Sequence, residues 1–148
     1  MPKPDPALLD PARYPFSCAI ETRFSDIDVN QHINNVWLVS MLQEARVRFH
    51  RAAGYTPGAS EDEGGGPSSM VASITVEYLG QSHFPAPLEM HVAPARLGNT
   101  SYTLNQLVTQ DGRIVAYAQA VMVCVDAQGP ASLPEAFRSN SERWMMRA

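Results

Sequence analysis

From Pro15 the chain alternates: Phe16, Cys18, Ile20, Thr22 and Phe24 face one way, while Ser17, Ala19, Glu21, Arg23 and Ser25 face the other. A period of two is that of a half-buried strand. The polar stretch from Ser25 to Asn34 breaks this pattern, and a new one begins at Asn35. Leu38, Leu42, Ala45, Phe49 and Ala53 then recur at spacings of 4, 3, 4 and 4. That spacing draws one apolar stripe along a helix, with Gln43, Glu44, His50 and Arg51 on the opposite side. Asn34 or Asn35 suits the N-cap and Gly54 the stop. Glu44 and Arg48 form an i,i+4 pair in the favourable order.

After Gly54 the segment YTPGASEDEGGGPSS has no period, and its composition predicts a long flexible loop flanking a pocket mouth. Four more strands follow: Met70 to Leu79, Leu88 to Leu97, Ser101 to Thr109 and Arg113 to Val125. Pro94 removes a ladder donor, so a bulge or an edge is expected there. Gly98-Asn99 and Asp111-Gly112 are hairpin signals. Ala116 to Val125 is nearly all apolar, as in a strand covered on both sides. Pro134 opens a short C-terminal helix reaching about Trp144. Residues 1 to 14 carry four prolines and are expected to form an extended arm, leaving 15–148 as one domain. One apolar helix and five antiparallel strands define an α+β fold with the helix laid on the sheet.

Composition narrows the possible partners. At 148 residues the chain builds one domain with its own core. A net charge of −4 excludes a typical phosphate-backbone binder, so no nucleic-acid partner is expected, although a local basic pocket remains possible. Cys18 and Cys124 are too few for a disulfide framework. No run approaches the roughly 18 to 20 apolar residues of a membrane span, and the N-terminus has no apolar signal region. The expected location is therefore the cytoplasm, without a membrane partner.

The candidate chemistry lies in the loop between the first strand and the helix. Asp26, Asp28, Asn30, His32 and Asn34 occupy every second position, and Asn35 follows. A carboxylate, an imidazole and the bare N–H groups of a helix start are thus brought together, which outlines a hydrolytic site. Asp28 suits an Asx turn as well as a general base or nucleophile. Asp26 is expected to fix the loop through backbone N–H groups. His32, one turn on, has a polar site role. Asn34 and Asn35 have a structural explanation as caps, and backbone N–H groups from His32 to Asn35 are candidates for an oxyanion hole. No metal is expected: the four histidines lack zinc-like spacing, and the cysteines are far apart. No serine stands in a G-x-S-x-G elbow, and Gly64-Gly65-Gly66 is followed by neither Lys-Ser/Thr nor a helix signal.

The run Asp26-Ile-Asp28-Val-Asn30-Gln-His32-Ile-Asn34-Asn35 resembles the active-site loop of hotdog-fold thioesterases of the 4-hydroxybenzoyl-CoA thioesterase-like superfamily. It is most similar to the D-x-D-x-N-x-H-x-N-N form of plant acyl-ACP thioesterases and their bacterial acyl-CoA relatives. Gln43-Glu44-Ala45-Arg46 fits as well. Two positions depart from many bacterial members: Gln31 replaces Gly, and Trp37 replaces Tyr. The resemblance implies a single hotdog domain, a five-stranded antiparallel sheet wrapped around one long central helix. It implies hydrolysis of an acyl-CoA or acyl-ACP thioester, with Asp28 as general base or nucleophile and Asn30 orienting water or carbonyl. Substrate contacts are assigned to Asn34, Asn35 and Trp37, and to Arg96, Asn99 and Ser101 beside the Gly98 turn. Trp37 and Met41 are placed to line an acyl pocket or a second subunit. No cofactor is implied beyond the CoA thioester as substrate. The implied assembly is a homodimer at minimum, with a homotetramer expected. Alternatives on the same fold are a hydratase or dehydratase, whose loop resembles D-x-x-x-x-H, and a non-catalytic acyl-CoA-binding protein.

Overall fold

The computed structural model describes residues 3–57 and 65–148. Its elements run β1 (Phe16–Ile20), α1 (Asn35–Ala52), β2 (Thr56–Pro57), β3 (Gly65–Gly66), β4 (Ser68–Tyr78), β5 (Leu88–Leu97), β6 (Ser101–Gln110), β7 (Arg113–Asp126), β8 (Gly129–Pro130) and α2 (Glu135–Glu142). Five long strands pair antiparallel in the order β1-β5-β6-β7-β4, so β1 and β4 are the edges. The two-residue β8 adds to β7, and β2 and β3 form a short parallel pair. This curled sheet around one long helix, with a short C-terminal helix, matches the α+β expectation.

The stripe on α1 is the centre of the core. Leu42, Ala45, Phe49 and Ala53 are fully buried, and Leu38 nearly so. They meet Leu88, Met90 and Val92 of β5, Leu104 and Val108 of β6, and Ala116, Ala118 and Ala120 of β7. Truncating a side chain such as Leu42 or Phe49 there would cost about 2–5 kcal/mol. The helix ends as expected: Gly54 takes φ 75°, and Tyr55 N–H closes back on the His50 carbonyl. Asp111 and Gly112 both have positive φ between the paired residues Gln110 and Arg113, as a type I′ hairpin turn demands. The register of β5 shifts between Pro94 and Arg96, where the bulge was expected. That shift lies just past Val92, the last residue of β5 paired with β1.

Several expectations fail, each for a local reason. The first strand stops at Ile20 rather than running to Ser25. The Arg23 backbone N–H and guanidinium both bond to the Asp26 carboxylate, which folds Phe24–Asp26 into a 3-10 turn. Phe24, expected on the inner face, is consequently 73% exposed. His50, expected on the polar side of α1, is buried because Tyr55, Tyr102 and Phe137 close around its ring. Met41, expected to line an acyl pocket or a second subunit, is buried and packs in the core cluster. The N-terminal arm is not extended throughout: two 3-10 turns, Pro6–Leu9 and Pro11–Arg13, are capped by Asp5 and Asp10. The flexible loop expected after Gly54 is bounded by β2 and β3, and its centre, residues 58–64, lies outside the described residues.

A second small cluster seals the other face of the sheet. Tyr14, Ala93 and Leu107 are buried there, with Leu9, Ile114 and Met146 packed on them. Arg147 N–H donates to the Arg13 carbonyl, so the two ends of the chain hold each other over this face.

Candidate active site

Three anchors shape the loop from Ile27 to Asn34. The buried Asp26 carboxylate accepts from Arg23 N–H at 2.8 Å and from its Nη2 at 2.8 Å. The Asp26 carbonyl accepts the Asn34 N–H at 2.8 Å, and the Ser82 carbonyl accepts the Ile33 N–H at 2.9 Å. Ile27 and Ile33 form a single antiparallel bridge. Asp26 thus ties the start of the loop to the start of α1.

Within that frame Asp28 to His32 is a tight reversal. The Asp28 carbonyl accepts from Gln31 N–H, and Asp28 N–H donates to the His32 carbonyl, each at 3.0 Å. Gln31 lies at φ 64°, the left-handed region that closes such a turn and that suits Gly best. Asp28 is half-buried, and its Oδ1 accepts the Asn30 N–H at 2.9 Å. The Asx-turn reading is therefore realised, yet it uses only one carboxylate oxygen. Among the described residues no donor engages Oδ2.

The helix start narrows the oxyanion candidates. Asn34 is the N-cap, its Oδ1 accepting Val36 N–H at 2.8 Å. Ile33 and Asn34 N–H are committed to the Ser82 and Asp26 carbonyls. Among the described residues, the N–H groups of His32 and Asn35 have no protein acceptor. Asn30 and Asn35 are exposed, and Trp37, 40% exposed, holds the Arg23 guanidinium 5.5 Å from its ring centre.

His83 was missed by sequence reasoning. Its ring lies 5.1 Å from that of His32, edge to face. The residue is held from behind: buried Gln110 accepts the His83 N–H at 2.9 Å and donates to its carbonyl at 2.7 Å. Nothing in the spacing of His32, His83 and Gln110 signals this, because the contact depends on how the β4–β5 connection folds over the sheet end. Among the described residues no three His, Cys, Asp or Glu side chains group as a metal site.

Arg96, Asn99 and Ser101 are elsewhere in the chain. Ile20, which leads into the loop, pairs with Leu88 at the start of β5, whereas these three residues flank its far end. Ten residues of strand separate the two ends by about 30 Å. At the far end Asn99 accepts Leu133 N–H, and the Gly98 carbonyl accepts Arg138, so the turn docks the C-terminal segment. One chain does not bring this turn to Asp28.

A second polar group, unread in the sequence, lies at the other end of α1. His50 Nε2 is 2.7 Å from the Tyr102 hydroxyl, which also meets Ser69 Oγ. Burial, and then the Arg46 charge, hold the His50 pKa down at about 4. Burial pushes Tyr102 well above the usual phenol range and Arg46 below the usual guanidinium one. The signal is absent from the helical period, which places His50 among polar neighbours; only the tertiary approach of Tyr102 and Phe137 buries it.

The same architecture recurs in known relatives. The model of the thioesterase-like superfamily matches residues 22–140, and the chain belongs to that superfamily. Its sheet and helix are a hotdog fold, and the Asp28 loop falls within the matched region. Comparison with curated proteins returned no match. Among solved structures, a thioesterase from Thermus thermophilus complexed with coenzyme A and zinc is 28% identical, with TM-score 0.77, covering 92% of this chain and 98% of that one. The PA5185 protein from Pseudomonas aeruginosa strain PAO1 is 26% identical, with TM-score 0.79, covering 93% and 96%. A 1,4-dihydroxy-2-naphthoyl-CoA thioesterase from Synechocystis shares the fold at 14% identity, with TM-score 0.74, covering 84% and 93%. No helix of the described residues is long and apolar enough to cross a membrane.

Proposed function

We propose that the protein hydrolyses an acyl-CoA or acyl-carrier thioester to free acid and thiol, with Asp28 as the catalytic carboxylate. The observation that carries this reading is the pairing, among the described residues, of an Asp28 oxygen that no donor engages with N–H groups at the start of α1 that meet no acceptor. Asp28 takes a proton from water as the water oxygen attacks the thioester carbon. The carbonyl oxygen gains negative charge, which the N–H groups of His32 and Asn35 and the positive end of α1 stabilise. The C–S bond then breaks, and the proton passes to the leaving thiolate. Asn30 and His32 orient water and carbonyl, and His83 backs the His32 ring. The likeness to a thioesterase bound to coenzyme A supports CoA as the thiol carrier.

The reading also requires assembly. β4 is an eleven-residue edge with Met70 and Tyr78 exposed, and α1 exposes Val36 and Val39. A bare apolar edge of this length needs a partner strand. Since one chain keeps the Gly98 turn far from Asp28, contacts of Arg96, Asn99 and Ser101 with CoA come from a second subunit. We expect a dimer at minimum and a tetramer as the full assembly.

The test is hydrolysis of a panel of acyl-CoAs followed with a thiol reagent, alongside light scattering. Release of free thiol by a dimer or larger species is expected. Hydration of an enoyl-CoA without thiol release, or a monomer at micromolar concentration, would overturn the proposal.

A further inference from the structure

The C-terminal half of α1 and the start of β4 line an open cavity of about 350 Å³, whose wall includes Arg46, His50, Ser69, Val47, Val71 and Met122. A volume of this size suits a small organic ligand. It is separate from the Asp28 loop in this chain. Fifteen residues of helix divide Asn35 from His50, about 22 Å, and no residue from Ile27 to Asn35 lines the cavity.

The wall is amphiphilic in a particular way. Val47, Val71 and Met122 supply apolar surface, whereas Arg46 and His50, each 5% exposed, are polar and buried. The Arg46 guanidinium makes one hydrogen bond among the described residues, from Nη1 to Gln106 Oε1 at 3.0 Å. Gln106 is itself fixed, its Nε2 donating to the Leu42 carbonyl at 2.9 Å. The ion pairs of the described residues are Arg23–Asp26 and Arg48–Glu44, so neither gives Arg46 a counter-charge. A buried cation without an anion is costly, and a ligand carboxylate would offset that cost. Arg51, exposed at the cavity mouth, adds positive charge on the approach.

We propose that this cavity binds a small organic carboxylate with an apolar body, its charged end on Arg46 and its body against Val47, Val71 and Met122. The planar guanidinium fork matches a carboxylate and not a point charge of either sign. Ser69, Tyr102 and His50 complete the site as a chain of donors. With a carboxylate bound, His50 Nε2–H donates to the Tyr102 oxygen, Tyr102 O–H to Ser69 Oγ, and Ser69 O–H to the ligand. Neutral His50 has a single ring proton, so binding selects its Nε2–H form. This site does not depend on thioester hydrolysis.

The test uses the full chain in its native assembly, with benzoate and hexanoate as probes and benzamide and benzylamine as comparators. Binding is followed by calorimetry and by nitrogen-15 NMR of the histidine ring. Saturable binding of the acids, weaker binding of the amide and amine, and a His50 signal of the Nε2–H form are expected. Arg46→Gln should weaken benzoate at least about tenfold, and Arg46→Lys should recover only part of the loss. Should the Arg46 variants fail to fold, Ser69→Ala decides: it should weaken benzoate several-fold and release the His50 tautomer preference. Equal binding of benzoate and benzamide, absence of saturable binding, or unchanged affinity in a folded Arg46→Gln or in Ser69→Ala overturns the proposal.

Discussion

The two ends of α1 are both polar, and they are built on opposite principles. At the N-terminal end Asp28, Asn30 and His32 ride on a short loop held by main-chain hydrogen bonds, half-buried or exposed. At the C-terminal end His50 and Tyr102 are sunk among aromatic rings, and they and Arg46 are hardly touched by solvent. The first arrangement keeps its ionisable groups hydrated enough to act on a substrate and fixes their positions through backbone bonds. The second removes water and so shifts protonation, which favours ligand binding over proton transfer. One helix therefore carries a reactive end and a desolvated one.

The sharpest break in that contrast is expected from Asp28→Asn. It keeps size and the Asx turn while removing the negative charge, so the hydrolysis rate should fall by about 10² to 10⁴-fold. Substrate affinity and thermal midpoint should stay near those of the parent. Near-normal turnover would mean that Asp28 is only a turn residue. His32→Ala should cost less, and a reversal of that ranking would make His32 the base.

At the other end the measurable quantity is stability against pH. His50 has a folded pKa of about 4, below its ordinary value of 6.5. Between those values the unfolded chain binds a proton that the folded chain refuses, so stability is lost as pH falls from about 6.5 to about 4. The loss is roughly 2–4 kcal/mol, levelling below the folded pKa. The groups facing the ring, Arg46, Tyr55 and Tyr102, do not change charge in that window. Denaturant unfolding of parent and His50→Gln across the window isolates the effect, and identical slopes would show that His50 titrates normally.

Asp26→Asn tests the frame of the reactive end. It weakens the bonds from Arg23 to a fully buried carboxylate and should lower stability by about 1–3 kcal/mol. The rate per folded molecule should fall less than with Asp28→Asn. A loss of activity without a loss of thermal midpoint would move Asp26 into the chemistry. The smallest effect belongs to Gln31→Gly, which relieves the left-handed backbone at φ 64° but loosens the unfolded chain. The two nearly offset, so a gain of at most about 1 kcal/mol is expected, and a clear loss would show that the Gln31 side chain holds the loop.

Much of the loop, of the bounds of α1 and of the hairpin turns was legible in the amino-acid order because the interactions there are local. Asn34 caps α1, Gly54 stops it and Asp111-Gly112 turns the chain, each through bonds spanning a few residues. Asp26, Asp28 and His32 sit within one loop, so their spacing already bounds their geometry. The period of α1 likewise identified Leu38, Leu42, Ala45, Phe49 and Ala53 as core. The order of residues could not show that β1 would stop at Ile20, since a guanidinium on a buried carboxylate there outweighs alternation. Nor could it place His83 behind His32, which depends on Gln110 reaching across from β6. His50 read as a surface residue because periodicity records one helix face at a time. Only the tertiary structure, by bringing Tyr102 and Phe137 from distant strands and helix onto the end of α1, decided that His50 is buried and that the buried Arg46 charge lies close to it.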